Sequence, residues 1–142
     1  MANDWTEVGV DWLGGMQFSG RNNEGGEIIF GTQKGEQGIA PMELLLVGLA
    51  GCTAVDVLHI LRKKRQQVDR FHLKVRAKKA DSHPKVYTKI ELVYLLWGED
   101  ISDKAVRDAI DLSKEKYCSA SVMLGKTAEI TYTYKINQDG GS

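Results

Sequence analysis

Cysteine, proline and histidine are scarce in this chain: of 142 residues, two are Cys, two Pro and three His. Two cysteines are too few for the disulfide framework of a small secreted domain, and reduced thiols are expected. Neither Cys52 nor Cys118 belongs to a Cys-x-x-Cys pair, and His59, His72 and His83 are scattered. No spacing suits a structural zinc site, and none is expected. Net charge is lacking too, since nineteen Lys and Arg balance nineteen Asp and Glu. Nothing in that balance suggests a general affinity for nucleic acid. The one basic cluster, RKKR at 62–65, reads as the end of a helix, where cations complement the dipole. The opening MANDWTEVGV has no basic start, apolar centre or small-residue cleavage site. It predicts no secretory signal and a cytoplasmic location. A membrane span is not expected either, because the uncharged apolar run at 44–55 is short and Asp56 and His59 follow it.

What the chain does have is one long apolar stretch, APMELLLVGLAGCTAVDVLHILRKKR, at 40–65. Pro41 suits a first helical turn, and Glu43 places a negative charge at the positive end of the dipole. Leucines, valines and isoleucines leave almost no polar face, so a helix at about 41–65 must be buried on all sides. A domain of this size seldom wraps a helix by itself. The small residues Gly48, Ala50, Gly51 and Ala54 allow a close neighbour, and a second copy of the same helix is the simplest one. A homodimer is therefore expected.

The other elements follow from periodicity. Most of the fifteen glycines precede Pro41, and the first quarter, about 6–30, reads as a meander of short strands. Val8, Val10 and Trp12 share one face of its first strand, and the polar stretch 31–38 links it to the helix. A hairpin is predicted at about 70–97, with Val86, Thr88, Ile90, Leu92 and Tyr94 facing in on its second strand. A helix at about 102–117 starts with Ser102 as N-cap and carries Val106, Ala109, Ile110, Ser113 and Tyr117 as its apolar stripe. A short helical turn opens at Cys118, the final strand covers about 127–136, and 137–142 is a tail. The sum is one α+β domain over 1–142, with mainly antiparallel sheets around a long buried central helix.

Free cysteine is often just a small buried apolar side chain. Cys118, however, is expected at a helix N-terminus, where the dipole favours thiolate, with Ser119 and Ser121 as neighbouring donors. A thiolate that meets a peroxide becomes a sulfenic acid, which a second thiol condenses to a disulfide. Spacing alone does not bring the two cysteines together. Asp56, one turn from Cys52, disfavours a thiolate there, and Asp56 and His59 read as buried polar groups outside the chemistry.

The segments Pro41-Met42-Glu43-Leu44-Leu45, Gly51-Cys52-Thr53-Ala54 and Tyr117-Cys118-Ser119-Ala120-Ser121 together resemble the OsmC/Ohr family (osmotically inducible protein C, organic hydroperoxide resistance). The resemblance implies an intertwined homodimer, with Cys52 attacking the peroxide and Cys118 resolving, no cofactor, and a thiol or dithiol reductant as partner. The family's peroxidases also place a Glu directly after the proline, paired with an Arg from the N-terminal glycine turn. Here those positions hold Met42 and Met16, with Glu43 one residue late, so Met16, Met42 and Glu43 are the candidate pocket residues. Arg21 is the candidate substitute cation. Losing both partners of an ion pair strands no charge, yet it removes the cation that lowers a thiol pKa. The expected function is thus a thiol peroxidase of reduced activity acting on organic hydroperoxides. The alternative is a non-enzymatic small-ligand or redox-sensing protein with an apolar pocket at the dimer interface.

Overall fold

The computed structural model describes residues 4–32 and 38–138 and orders them as β1 (Val8–Gly14), β2 (Gln17–Asn22), β3 (Glu27–Phe30), α1 (Pro41–Lys63), β4 (Arg70–Lys79), β5 (Tyr87–Trp97), α2 (Asp103–Leu112), a π-helical turn (Ser113–Tyr117), α3 (Ser119–Leu124) and β6 (Glu129–Ile136). The chain forms two compact units, Met1–Leu45 and Leu46–Ser142. Parts of the predicted linker (33–37) and tail (139–142) lie outside the described residues.

In the first unit β1, β2 and β3 form an antiparallel sheet in that order. Gly31 ends β3 at a φ of +121°, and a Cβ there would fall 1.9 Å from the Met16 carbonyl oxygen, so only glycine fits. The apolar face that the alternation predicts is real but uncovered: Val8, Val10 and Trp12 are all exposed.

The second unit is better filled. Its sheet runs β4-β5-β6, with β4 antiparallel and β6 parallel to the central strand β5. A parallel pair needs a crossover, and α2, the π turn and α3 supply it. Ile90, Leu92, Tyr94 and Leu96 of β5 are buried, together with Val106, Ala109 and Ile110 of α2. The predicted inner face is displaced at its start. A register shift between Lys78 and Lys79 buries Tyr87 and leaves Val86 and Thr88 outside. Ser102 caps α2 as expected, accepting from the Ala105 N–H at 3.2 Å. The predicted stripe on that helix ends early, because the wider i→i+5 turn rotates Tyr117 off the buried face.

The expectation that α1 is buried on all sides is corrected within this chain. Only Leu49, Thr53, Val57 and Leu61, spaced four apart, are buried along it, whereas Val47, Gly48, Gly51, Val55 and Leu58 are exposed. By length and composition α1 is also long and apolar enough to cross a membrane. Counting only the uncharged stretch understated its reach. Against a span stand its buried stripe and the polar contacts that Thr53 and Asp56 make inside the second unit.

Candidate active site

α1 carries Cys52 and Asp56 one turn apart, so their side chains are neighbours on the helix surface. The crossover brings Cys118 to them. The two sulfurs and a carboxylate oxygen of Asp56 all lie within 4.8 Å of one another. Cys118 is fully buried and Cys52 only half-buried; both are free thiols.

The π turn sets the position of Cys118. The Cys118 N–H donates to the Ser113 carbonyl at 2.7 Å, an i→i+5 bond that closes the wide turn and ends the helix there. Cys118 then becomes the N-cap of α3, its sulfur accepting from the Ser121 N–H at 3.4 Å. A π turn beside a pair of reactive side chains is a recurrent feature of functional sites.

Asp56 is fixed by a buried chain of hydroxyl groups drawn from three elements. A carboxylate only accepts, so Ser113 Oγ donates to Asp56 Oδ2 at 3.0 Å. Each hydroxyl has one proton, which orients the remaining bonds: Thr53 Oγ1 donates to Ser113 at 2.8 Å, and Tyr94 OH donates to Thr53 at 2.8 Å. Thr53 thus interrupts the apolar stripe of α1 without leaving a polar atom unsatisfied. Burial pushes the Tyr94 phenol up to about 12.

The expectation that a helix N-terminus lowers the Cys118 pKa is overturned. Burial is the largest influence and pushes the thiol up, the adjacent Cys52 adds to it, and the Ser121 hydroxyl and N–H pull down without prevailing. The first turn of α3 offers the sulfur one N–H bond, whereas full burial withholds water from it.

Met16, Met42 and Glu43 lie in the first unit. Met16 is exposed, between β1 and β2, and Met42 is half-buried in the first turn of α1. Glu43 has a structural task there, since its Oε1 accepts the Ala40 N–H at 2.8 Å and caps the helix. Arg21, the candidate substitute cation, is paired with Glu27 at 3.0 Å. Sequence reasoning set Asp56 aside and missed Thr53, Tyr94 and Ser113. The available signals were the four-residue spacing from Cys52 to Asp56 and the single hydroxyl in a leucine-rich stripe.

Residues 32–133 match the family described as OsmC-like protein. This chain belongs to that family. Protein YhfA of Escherichia coli (strain K12) is 38% identical to this OsmC-like protein over 127 residues, which are 89% of this chain and 95% of YhfA. A crystal structure of a hypothetical protein from Aquifex aeolicus VF5 superimposes with a TM-score of 0.80 at 36% identity, over 96% of this chain and all of that one. The organic hydroperoxide resistance protein OhrB of Bacillus subtilis shares the fold, with a TM-score of 0.62 at 17% identity over 92% of this chain and 98% of its own. The α+β, OsmC-like fold expected from the sequence is therefore the fold found.

Proposed function

We propose that this OsmC-like protein is a cysteine-based thiol peroxidase that reduces organic hydroperoxides in the cytoplasm. The observation that carries the reading is the approach of the two sulfurs to within 4.8 Å, with Cys52 the more accessible of the pair. A hydroperoxide entering from solvent meets Cys52 first. The Cys52 thiolate attacks the peroxide oxygen, the O–O bond breaks, and the alkoxide takes up a proton to leave as an alcohol. Cys118 then attacks the sulfenic sulfur; water leaves, and a Cys52–Cys118 disulfide remains. A thiol or dithiol reductant returns two electrons and two protons. Burial of Cys118 fits a resolving thiol, which must not compete for peroxide but needs only a short movement to reach Cys52.

The reading includes a homodimer. α1 presents Val47, Val55 and Leu58 to solvent, and Gly48 and Gly51 have open space where a Cβ would stand. An apolar face of this extent on a helix is a docking surface, and a second copy covers it by symmetry. OhrB of Bacillus subtilis is an organic hydroperoxide resistance protein, which supports the choice of substrate class. With methionines in place of the family's Arg and Glu, the rate is expected to fall below that of members carrying the ion pair.

The test is to reduce the protein, add one equivalent of an organic hydroperoxide, and follow thiol content and intact mass. Rapid loss of both thiols with a mass decrease of two hydrogens, abolished in Cys52→Ser, is expected. Loss no faster than in the unfolded chain contradicts the reading and favours a non-enzymatic ligand-binding protein.

A further inference from the structure

Two thiols and a carboxylate on one small patch are also a set of metal donors. We propose that the reduced Cys52–Cys118 pair, with Asp56, forms a binding site for Zn²⁺, in which both sulfurs and one carboxylate oxygen are ligands and a fourth position stays open. The donor atoms lie within 4.8 Å of one another. A tetrahedral zinc with Zn–S of about 2.3 Å and Zn–O of about 2.0–2.2 Å holds such donors roughly 3.5–4 Å apart. Small side-chain rotations bring the three atoms to that spacing.

The surroundings are those of a supported ligand set. Asp56 has one oxygen engaged by Ser113 at 3.0 Å, which leaves the other lone pairs for a metal. Behind Ser113 stand Thr53 and Tyr94, so the carboxylate is oriented by a buried chain of three hydroxyl groups. Metal-binding carboxylates are commonly held in this way. Cys118 is held by the bond from its N–H to the Ser113 carbonyl, so one residue positions two of the three ligands. Asp56 lines a groove of about 410 Å³ together with His59, Ile60, Leu112 and Tyr117. Lys63 and Lys64 border the same groove, about two helical turns further along. Two thiolates and a carboxylate carry three negative charges against two on the ion, and a soft sulfur-rich set selects zinc over magnesium or calcium.

Binding balances simply: the two thiols lose their protons to solvent and each sulfur forms one bond to the ion, with no electron transferred. Zinc and the disulfide are then mutually exclusive states of the same two sulfurs. The site does not depend on peroxidase activity, since only reduced thiols are needed.

The experiment uses the reduced full-length protein under argon, titrated with Co²⁺ as a spectroscopic stand-in and then with Zn²⁺. One thiolate-to-cobalt charge-transfer band, saturating at one ion per chain and erased by Zn²⁺, is expected. Cys52→Ser and Cys118→Ser should abolish it. Asp56→Asn, which keeps the shape of the side chain, and Ser113→Ala should each weaken affinity about 10–100-fold while circular dichroism and thiol count stay unchanged. Absence of the band in protein whose two thiols titrate as reduced overturns the proposal. A band of unchanged affinity in folded Asp56→Asn overturns it too, because the carboxylate is then no ligand. If peroxide still oxidises both thiols rapidly while cobalt fails to bind, the metal site is wrong and the peroxidase reading stands.

Discussion

The two three-stranded sheets of this protein share a strand count and differ in what covers them. In the second unit β5 buries Ile90, Leu92, Tyr94 and Leu96, because the α2–α3 crossover and α1 from Leu46 onward belong to that same unit. In the first unit Val8, Val10 and Trp12 form an equally regular apolar face that stays exposed. Alternation in a sequence states that a face is made to be covered; it does not state by what. A face with its cover in the same unit contributes to folding, and a face without one is available for association.

The comparison breaks most visibly in stability. Leu92→Ala should cost about 2–5 kcal/mol in denaturant unfolding, whereas Val10→Ala in dilute protein should change it by less than about 0.5 kcal/mol. Analytical ultracentrifugation sharpens the contrast: Val10→Ala and Val55→Asp should weaken self-association, and Leu92→Ala should not do so at temperatures where it is folded. Equal stability losses at Leu92 and Val10 would erase the distinction between the two sheets.

The next effect reads the buried hydroxyl chain. An unfolded tyrosine ionises near 10, and burial raises Tyr94 to about 12. The folded state therefore holds its proton more firmly than the unfolded state between these values. Tyr94 contributes fully below pH 10, and that contribution is lost as pH rises from 10 to 12, by roughly 2–3 kcal/mol. Tyr94→Phe should flatten the decline in an alkaline unfolding series. The Cys118 thiol, raised chiefly by burial, acts in the same direction. Smaller again is Thr53→Val, which leaves the Tyr94 hydroxyl without its partner and should cost about 1–3 kcal/mol.

How much of this was legible in the sequence follows from where each signal resides. The order of strands and helices was readable, because alternation and helical spacing are local. Ser102 and Gly125 mark their helix ends in the chain itself. The meeting of Cys52 with Cys118 was not readable from spacing and entered through family resemblance, since it depends on a parallel crossover between distant segments. The π turn was missed for a related reason: nothing in SKEKY distinguishes it from another turn of α-helix. Asp56 was judged by its charge beside Cys52 and set aside, while its actual partner is a serine 57 residues further along the chain. The uncovered faces of β1 and α1 were recognised as apolar, but burial was assigned to them before a cover was known.

The smallest effect concerns that carboxylate. Removing a negative charge beside the sulfurs lowers the electrostatic cost of a negative transition state there. Asp56→Asn should accelerate peroxide-driven thiol loss about three- to tenfold at neutral pH, measured by stopped-flow consumption under excess reductant.

The central claim is that the fold brings Cys52 and Cys118 into one redox pair, and peptide mapping after a single turnover tests it most directly. Reduced protein is exposed to one equivalent of an organic hydroperoxide, alkylated at once, and digested without reductant. The expected result is a crosslinked peptide joining Cys52 to Cys118 within one chain, formed at a rate independent of protein concentration. Oxidised but unlinked cysteines, or links only between chains, would contradict the account.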